Sequence, residues 1–387
     1  MLKNGSRSIL VVIGSLERGG CETHLAKVLP RLVEQGYEIS LFLLSGSGPL
    51  KGELENGGVR LFTPWIELSS TSRRNLIIRT ARLGLISLQF ILHLIRQRPK
   101  ILHIFLPASY WLAGPLSLPF YNIKKVMSRR SQNTYMAGKP WIKLLESYLH
   151  KRMDAILGNS QNIVQQLISH ESAPKERVKL IYNGIDTDRT VLHERTKLRR
   201  RLKINENTVT LIIVANLIPY KGHNDLLDAL KIAQTHLREE WTLLIVGRDD
   251  GIGKELQKTT DKLGLGSNVN FIGPSDNVQD YLSAADIGLL VSHQEGFSNA
   301  ILEAMASSLP MIVTDAGGNK EAVLHDKTGF VVPIKDPDSL ATRIIQLVND
   351  DELRKSMGSL GRRRAIQHFS INNCVREYVT LYQSLLK

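Results

Sequence analysis

Residues 291–321, VSHQEGFSNAILEAMASSLPMIVTDAGGNKE, constrain the fold more tightly than any other stretch of the chain. Glu295 and Glu303 stand either side of a tight corner at Gly296 and Phe297. Ser298 and Asn299 are favourable helix N-caps, and AILEAMA continues as helix. Pro310 stops that helix, MIVT reads as a short buried strand, and Gly317–Gly318 makes a second turn. Loop, helix, strand and loop in this order form one repeat of a parallel α/β sheet. The amides of residues 296–300 would then be open donors at a helix N-terminus, suited to an anion or a ring of hydroxyls. Glu295 would lie just before the helix and Glu303 about one turn inside it, so the two acids could hold different parts of one long ligand. Two glutamates at this spacing arise often by chance, so the weight rests on the whole string.

The same alternation runs through the chain twice. In the first half, apolar runs at Ser8–Leu16, Tyr37–Leu44, Val59–Phe62, Ile101–Phe105, Lys124–Ser131 and Asp154–Ser160 read as strands, the last closing the first sheet. Between them the spacing predicts helices after Gly19–Gly20, over Asn75–Arg96, within Leu106–Phe120, and over Trp141–Met153 and Gln161–Ser169. Residues 46–58 read as a glycine-rich mobile loop, and Val178–Asp186 as the exit from the first domain. The charged segment 187–207 reads as linker with a short arginine-rich helix. The second half repeats the pattern, with strands at Val209–Ala215, Trp241–Gly247, Val269–Gly273, Ile287–Val291 and 311–314. The expected division is 1–186 completed by 370–387, and 208–369.

The net charge of +13 is concentrated rather than spread. Residues 73–152 hold 15 Lys or Arg and a single acid, Glu146, whereas 1–72 and 153–387 are close to neutral. Such a block seeks an anionic lipid surface, nucleic acid or a phosphorylated substrate. Nucleic acid is disfavoured, because the aromatic residues of the block form no stacking module. Cys21 and Cys374 imply free thiols rather than a disulfide framework. The longest apolar run, Leu83–Ile95, is too short to span a bilayer, and the N-terminus reads as a first strand rather than a signal peptide. A cytoplasmic protein, peripheral on the inner face of the membrane, is the expectation.

The string EGF-SNA-ILEAMA, then LP and VTDAGG, resembles the donor-site signature of the retaining family-four glycosyltransferases. The resemblance implies the GT-B fold: two Rossmann-like doubly wound α/β domains facing a cleft, with the C-terminal helix crossing back to the first domain. It implies a nucleotide diphosphate sugar (UDP- or GDP-linked) as co-substrate, a glycan or lipid-linked acceptor, and neither cofactor nor metal. It assigns catalysis to Glu295 and Lys221. Donor binding falls to Gly19, Gly20, Asn216, Lys221, Gly247, Gly273, Glu295, Gly296, Phe297, Ser298, Asn299 and Glu303. By the same analogy Glu295 meets the sugar hydroxyls, Glu303 the ribose, and Lys221 the diphosphate.

Two departures stand out. Many family members carry a histidine where this chain reads VMSRRSQNTY, so Arg129 or Arg130 is expected in its place; His103 reads first as a structural residue near the strand end, with lining of the cleft as the alternative. An arginine cannot serve as a base at neutral pH, but it can bind phosphate or hydroxyls in a fixed fork. The family's donor-loop arginine is replaced by Asn216, which leaves Arg248 or the Arg129–Arg130 loop to supply the second cation. Asp249–Asp250 are adjacent rather than spaced as a metal pair and read as a turn. These departures leave two alternatives: a non-catalytic binder of sugar nucleotide or glycan, and a GT-B sugar-nucleotide epimerase or phosphorylase.

Overall fold

The computed structural model describes residues 7–46, 48–66, 76–136, 138–186, 195–238 and 240–387. They form two compact units, 1–184 with 371–387 and 185–370.

The first unit alternates strand and helix. Its elements are β1 (Ser8–Ile13), α1 (Gly20–Glu34), β2 (Glu38–Leu43), α2 (Lys51–Asn56), β3 (Arg60–Phe62), α3 (Leu76–Gln97) and β4 (Ile101–Phe105). Then come α4 (Pro107–Ser117), β5 (Lys124–Arg129), α5 (Pro140–His150), β6 (Ala155–Gly158), α6 (Gln161–Ser169) and β7 (Val178–Leu180). The strands pair in parallel in the order β3-β2-β1-β4-β5-β6-β7. Continuous apolar runs make such strands, because helices cover both faces. One face packs against α1, α2 and the C-terminal helix through Leu25, Leu54 and Tyr378. The other packs against α3, α4, α5 and α6 through Phe90, Ala113, Leu149 and Leu167.

The second unit contains α7 (Arg195–Arg201), β8 (Val209–Val214), α8 (His223–Ala233), β9 (Trp241–Val246), α9 (Gly253–Lys262), β10 (Val269–Gly273) and α10 (Val278–Ala284). It continues through β11 (Ile287–Leu290), α11 (Asn299–Ala306), β12 (Met311–Thr314), α12 (Asn319–Ala322), β13 (Gly329–Val332), α13 (Pro337–Asn349) and α14 (Asp351–Phe369). Its parallel sheet has the order β10-β9-β8-β11-β12-β13. The last helix, α15 (Ile371–Leu386), returns to the first unit and lies along α1. At Gly184, where the chain leaves that unit, a Cβ would stand 2.7 Å from Cys374 Cβ, so only glycine lets the outgoing strand pass so close to α15.

Three expectations are corrected. Residues 46–58 are not all loop: Leu50 and Leu54, four apart, are buried in the core and hold α2 as helix. Ser47 lies outside the described residues. The first sheet does not end at residue 160, because Val178 pairs with Ile156 and extends it by a seventh strand. The linker assigned to 187–207 is in part domain. Residues 187–194 lie outside the described residues, but Arg199 of α7 is buried and donates to the carbonyls of Asn205, Thr208 and Ala284. The guanidinium there is satisfied by those carbonyls and by an ion pair with Asp286. The predicted helix Asn75–Arg96 is observed from Leu76; Arg73, Arg74 and Asn75 lie outside the described residues, as does the side chain of Arg79.

Candidate active site

Strand order reverses in the second unit between β8 and β11, and open α/β sheets bind ligands outside the carboxyl ends of strands at such a point. The chain leaving β8 turns through Pro219–Lys221 into α8, and the chain leaving β11 runs through His293 and Glu295 into α11. Gly222 adopts φ +73°, and a Cβ there would lie 2.1 Å from the Val291 carbonyl. A larger residue would push the two loops apart. His293 N–H donates to the Tyr220 carbonyl at 2.7 Å, and its Nε2 lies 2.6 Å from Asp225. Stitched in this way, the loops place Lys221 Nζ 2.5 Å from Glu295 Oε1, with both side chains largely but not wholly buried.

The second glycine turn supports the same corner from below. Gly317 has φ +53°, its absent Cβ would lie 1.9 Å from the Glu295 carbonyl, and Gly318 N–H donates to the Gly296 carbonyl at 2.9 Å. Gly317–Gly318 therefore serves the geometry of Glu295 rather than a ligand directly. Phe297 is buried against Phe369, ring centroids 5.3 Å apart, so its side chain anchors the corner and only its backbone can face a ligand. Ser298 caps α11 with extended backbone, and its hydroxyl takes no amide of the helix. Glu303 sits half-buried one turn further on.

Asn216, Gly247 and Gly273 stand at the carboxyl ends of β8, β9 and β10. Asn216 Nδ2 donates to Asp250 Oδ2, and its Oδ1 accepts from Arg248 N–H. Asn216 thus ties two loops together instead of supplying charge. Arg248, the candidate second cation, is drawn into an ion pair with Asp250 at 2.6 Å. Gly247 is required because its absent Cβ would lie 2.0 Å from the Ala215 carbonyl. Gly273, at φ +80°, faces open space. Asp249 accepts from the amides of Gly251 and Gly253, the turn read from sequence.

In the first unit Gly19 is the N-cap of α1 and Gly20 its first residue. A Cβ on Gly19 would meet Glu22 Oε2 at 2.3 Å, so the Glu22 carboxyl folds back over the helix start. Burial raises the Glu22 pKa, with the amide of Glu22 itself and the Arg130 charge opposing that rise.

Of the three cleft candidates, two are buried in the core. His103 is fully buried, with Nδ1 and Nε2 each 2.7 Å from a hydroxyl, Tyr382 and Ser128 respectively. Burial, followed by the Arg130 charge, holds its pKa down at about 3, so it is a neutral core residue. Arg129 is buried and donates to both Glu146 and Glu171, and Glu171 also meets His150. Among the described residues Glu146, His150 and Glu171 are the one group whose ligand atoms cluster as if for a metal, but the guanidinium of Arg129 joins both carboxylates there. Arg130, by contrast, is only half-buried, donating to Asn183 and to the Tyr378 hydroxyl of α15. It is the arginine of the pair that keeps a face toward solvent at the carboxyl edge of the sheet.

Sequence reasoning passed over His223, His293 and Glu22. His223 opens α8 beside Lys221 and is buried; burial, followed by the Lys221 charge, lowers its pKa to about 4. A polar residue in the first helical position after Lys-Gly was the available signal.

The family description "Glycosyl transferases group 1" matches residues 194–364, and "Glycosyltransferase Family 4" matches 18–189. The N-acetyl-alpha-D-glucosaminyl L-malate synthase of Bacillus anthracis is 29% identical over 255 residues, spanning 66% of this chain and 66% of that relative, just under two thirds of its length. The D-inositol 3-phosphate glycosyltransferase of Corynebacterium jeikeium (strain K411) is 26% identical over 96% of this chain and 93% of its own. Among solved structures, Anabaena Alr3699/HepE in complex with UDP-glucose superimposes with a TM-score of 0.83 at 21% identity, covering 97% of this chain and 99% of that one. A glycosyltransferase from Rickettsia africae ESF-5 gives 0.82 at 20% identity, covering 99% and 100%. At these identities the structural likeness establishes the fold, which is GT-B.

Proposed function

Because the chain belongs to the family-four, group 1 glycosyltransferases, we propose that it moves a sugar from a nucleotide diphosphate donor to a glycan or lipid-linked acceptor hydroxyl. The reaction proceeds with retention at the anomeric carbon and without a metal ion. The observation that carries this reading is the Lys221–Glu295 pair at the β8/β11 switch point. An ammonium beside a helix start offers a leaving diphosphate both fixed charge and backbone donors. Glu295, held by that ammonium and by the Gly317 turn, presents its second oxygen to sugar hydroxyls. Glu303 is assigned to the ribose, and the backbone at Gly247, Gly273 and 296–299 to the nucleotide.

In the transfer, the bond from the anomeric carbon to the diphosphate oxygen breaks, and a bond to the acceptor oxygen forms on the same face. The acceptor proton passes to the departing diphosphate, so no protein base is required. That agrees with an arginine, Arg130, standing where many family members place a histidine. Gly19, Gly20 and Arg130 are assigned to the binding edge of the first unit. UDP is favoured as the nucleotide, since the similar HepE structures hold UDP, UDP-glucose, or UDP with glucose. We place the enzyme at an anionic membrane surface on the cytoplasmic side, engaged through the basic block 73–152. Among the described residues no helix is long and apolar enough to cross a membrane.

The test is calorimetric titration with UDP, GDP and their sugars, followed by NMR of the product with and without EDTA. Binding of UDP-sugars, slow release of UDP and a retained anomer insensitive to EDTA support the reading. Donor binding with no release of nucleotide would make the chain a non-catalytic binder, and an inverted anomer would overturn the mechanism.

A further inference from the structure

The layer of α3, α4 and α5 has an unusual outer side. The inner sides of all three pack on the same face of the first sheet, and α4 contacts both neighbours. Their outer sides should be charged, as on most surface helices. Instead Ala81, Gly84, Leu88, Ile91 and Ile95 form one seam along α3 at alternating spacings of four and three, all exposed or half-buried. Leu88 and Ile95 are each 49% exposed. The helix α4, PASYWLAGPLS, carries no charged residue at all, yet its outer side reaches solvent at Ala108 and, in part, at Leu112 and Pro115. On α5, Trp141, Leu144 and Tyr148 are 61%, 73% and 50% exposed.

Cations rim this apolar layer. Helices of a parallel sheet run opposite to its strands, so the carboxyl ends of α3 and α5 and the turn after α4 share one sheet edge. Exposed at that edge are Arg96, Arg98, Lys100, Lys124, Lys151 and Arg152. Arg152 lies 3.4 Å from the centre of the exposed Tyr148 ring. No Asp or Glu occurs from residue 73 to residue 145. A second copy pressed against the same layer would set cation against cation, with no acid to relieve it. An anionic bilayer relieves both problems: it accepts the apolar seam and attracts the rim, with Trp and Tyr at headgroup depth.

We infer that the α3–α4–α5 layer is a monotopic docking surface for anionic phospholipid, with Leu88, Ile95, Trp141 and Leu144 entering the acyl boundary. This refines the membrane reading above and rests on it. Vesicle binding is scored without donor or acceptor, so its failure stays separate from failure of the sugar-transfer assignment.

The experiment is flotation of the full chain with phosphatidylcholine vesicles and with mixed phosphatidylglycerol–phosphatidylcholine vesicles. Wild type should bind the mixed vesicles at least about tenfold better. Leu88→Glu with Ile95→Glu, and separately Trp141→Ser with Leu144→Glu, should each weaken that binding about tenfold or more. Melting temperature and donor hydrolysis in solution should not change, because these side chains are exposed and none is among the residues assigned to the donor. As a second readout, tryptophan emission should shift to the blue on mixed vesicles, and Trp141→Phe should remove most of the shift. Equal binding to both vesicle types, or full binding by both double variants, would overturn the inference. So would a wild-type dimer that the α3 variant makes monomeric, which would give the seam to a second copy.

Discussion

Lys221 Nζ sits 2.5 Å from Glu295 Oε1, joining two loops 74 positions apart in sequence. The pair forms because Gly222 lets the Lys221 loop close on Val291, and because Gly317 lets the Asp315–Gly318 turn close under Glu295. Neither charge is isolated before a donor arrives, and each orients the other. Their effects on turnover should therefore be coupled. Lys221→Ala and Glu295→Ala are each expected to lower kcat by about two orders of magnitude or more. The double variant should lose clearly less than the product of the two losses. Steady-state rates on one donor, closed into a double-mutant cycle, measure this. Near-normal turnover in both single variants would remove the pair from the mechanism.

Gly317→Ala tests the support under Glu295. The new methyl would meet the Glu295 carbonyl, and alanine at φ +53° adds backbone strain of about 1–3 kcal/mol. Donor affinity should drop together with stability. Gly264→Ala, strained by φ +74° but facing open space and outside the donor residues, should cost stability while leaving the position of Glu295 alone. Comparing donor Kd in the two variants separates strain from displacement.

Arg129→Met removes the cation that holds Glu146 and Glu171 in the core. Two buried carboxylates would then face each other without a cation between them, beside the neutral donors Trp111 and Gln166 and the His150 ring. Loss of one partner from such a network costs about 3–5 kcal/mol. Urea unfolding should register this as a lower midpoint. Arg130→Met, at a half-buried position, should cost much less stability. If the two variants unfold alike, the distinction between structural Arg129 and solvent-facing Arg130 is wrong.

Acid should destabilise both units. His103 in the first and His223 in the second are buried and neutral, with pKa values lowered to about 3 and about 4. The unfolded chain takes up these protons first, near the ordinary value of about 6.5. The stability tied to each imidazole is therefore complete above that pH, and it falls as pH drops toward the folded value. Near pH 5 each should have cost on the order of 2 kcal/mol relative to neutral pH. Urea melts at neutral pH and near pH 5 should show the midpoint falling with acid; a midpoint that rises would contradict the assignment.

Much of the second unit was legible in the chain. Glycines that must approach a carbonyl, a Lys-Gly before a helix, and a short apolar run after Pro310 are local requirements, and a sequence states local requirements openly. Gly222, Gly247 and Gly317 each turned out to face a carbonyl from another loop. The first unit was harder to read. Arg129 and Arg130 are neighbours of the same type, and nothing local separates them. Their roles diverge because side chains alternate across a strand end. Arg129 is buried with Glu146 of α5 and with Glu171, whereas Arg130 reaches Asn183 and Tyr378. The partners that hold His103 in the core, Ser128 and Tyr382, lie 25 and 279 positions away.

By itself the sequence determined the fold class, the family and the loop–helix corner at 295–299, because each rests on spacing within a few tens of residues. Tertiary structure alone decided which charges are available. It buried Arg129 and paired Arg248 with Asp250. It also gathered the scattered apolar residues of three helices into one exposed layer. Burial and charge pairing depend on what the rest of the chain brings within a few ångströms, and that information is carried by no single stretch.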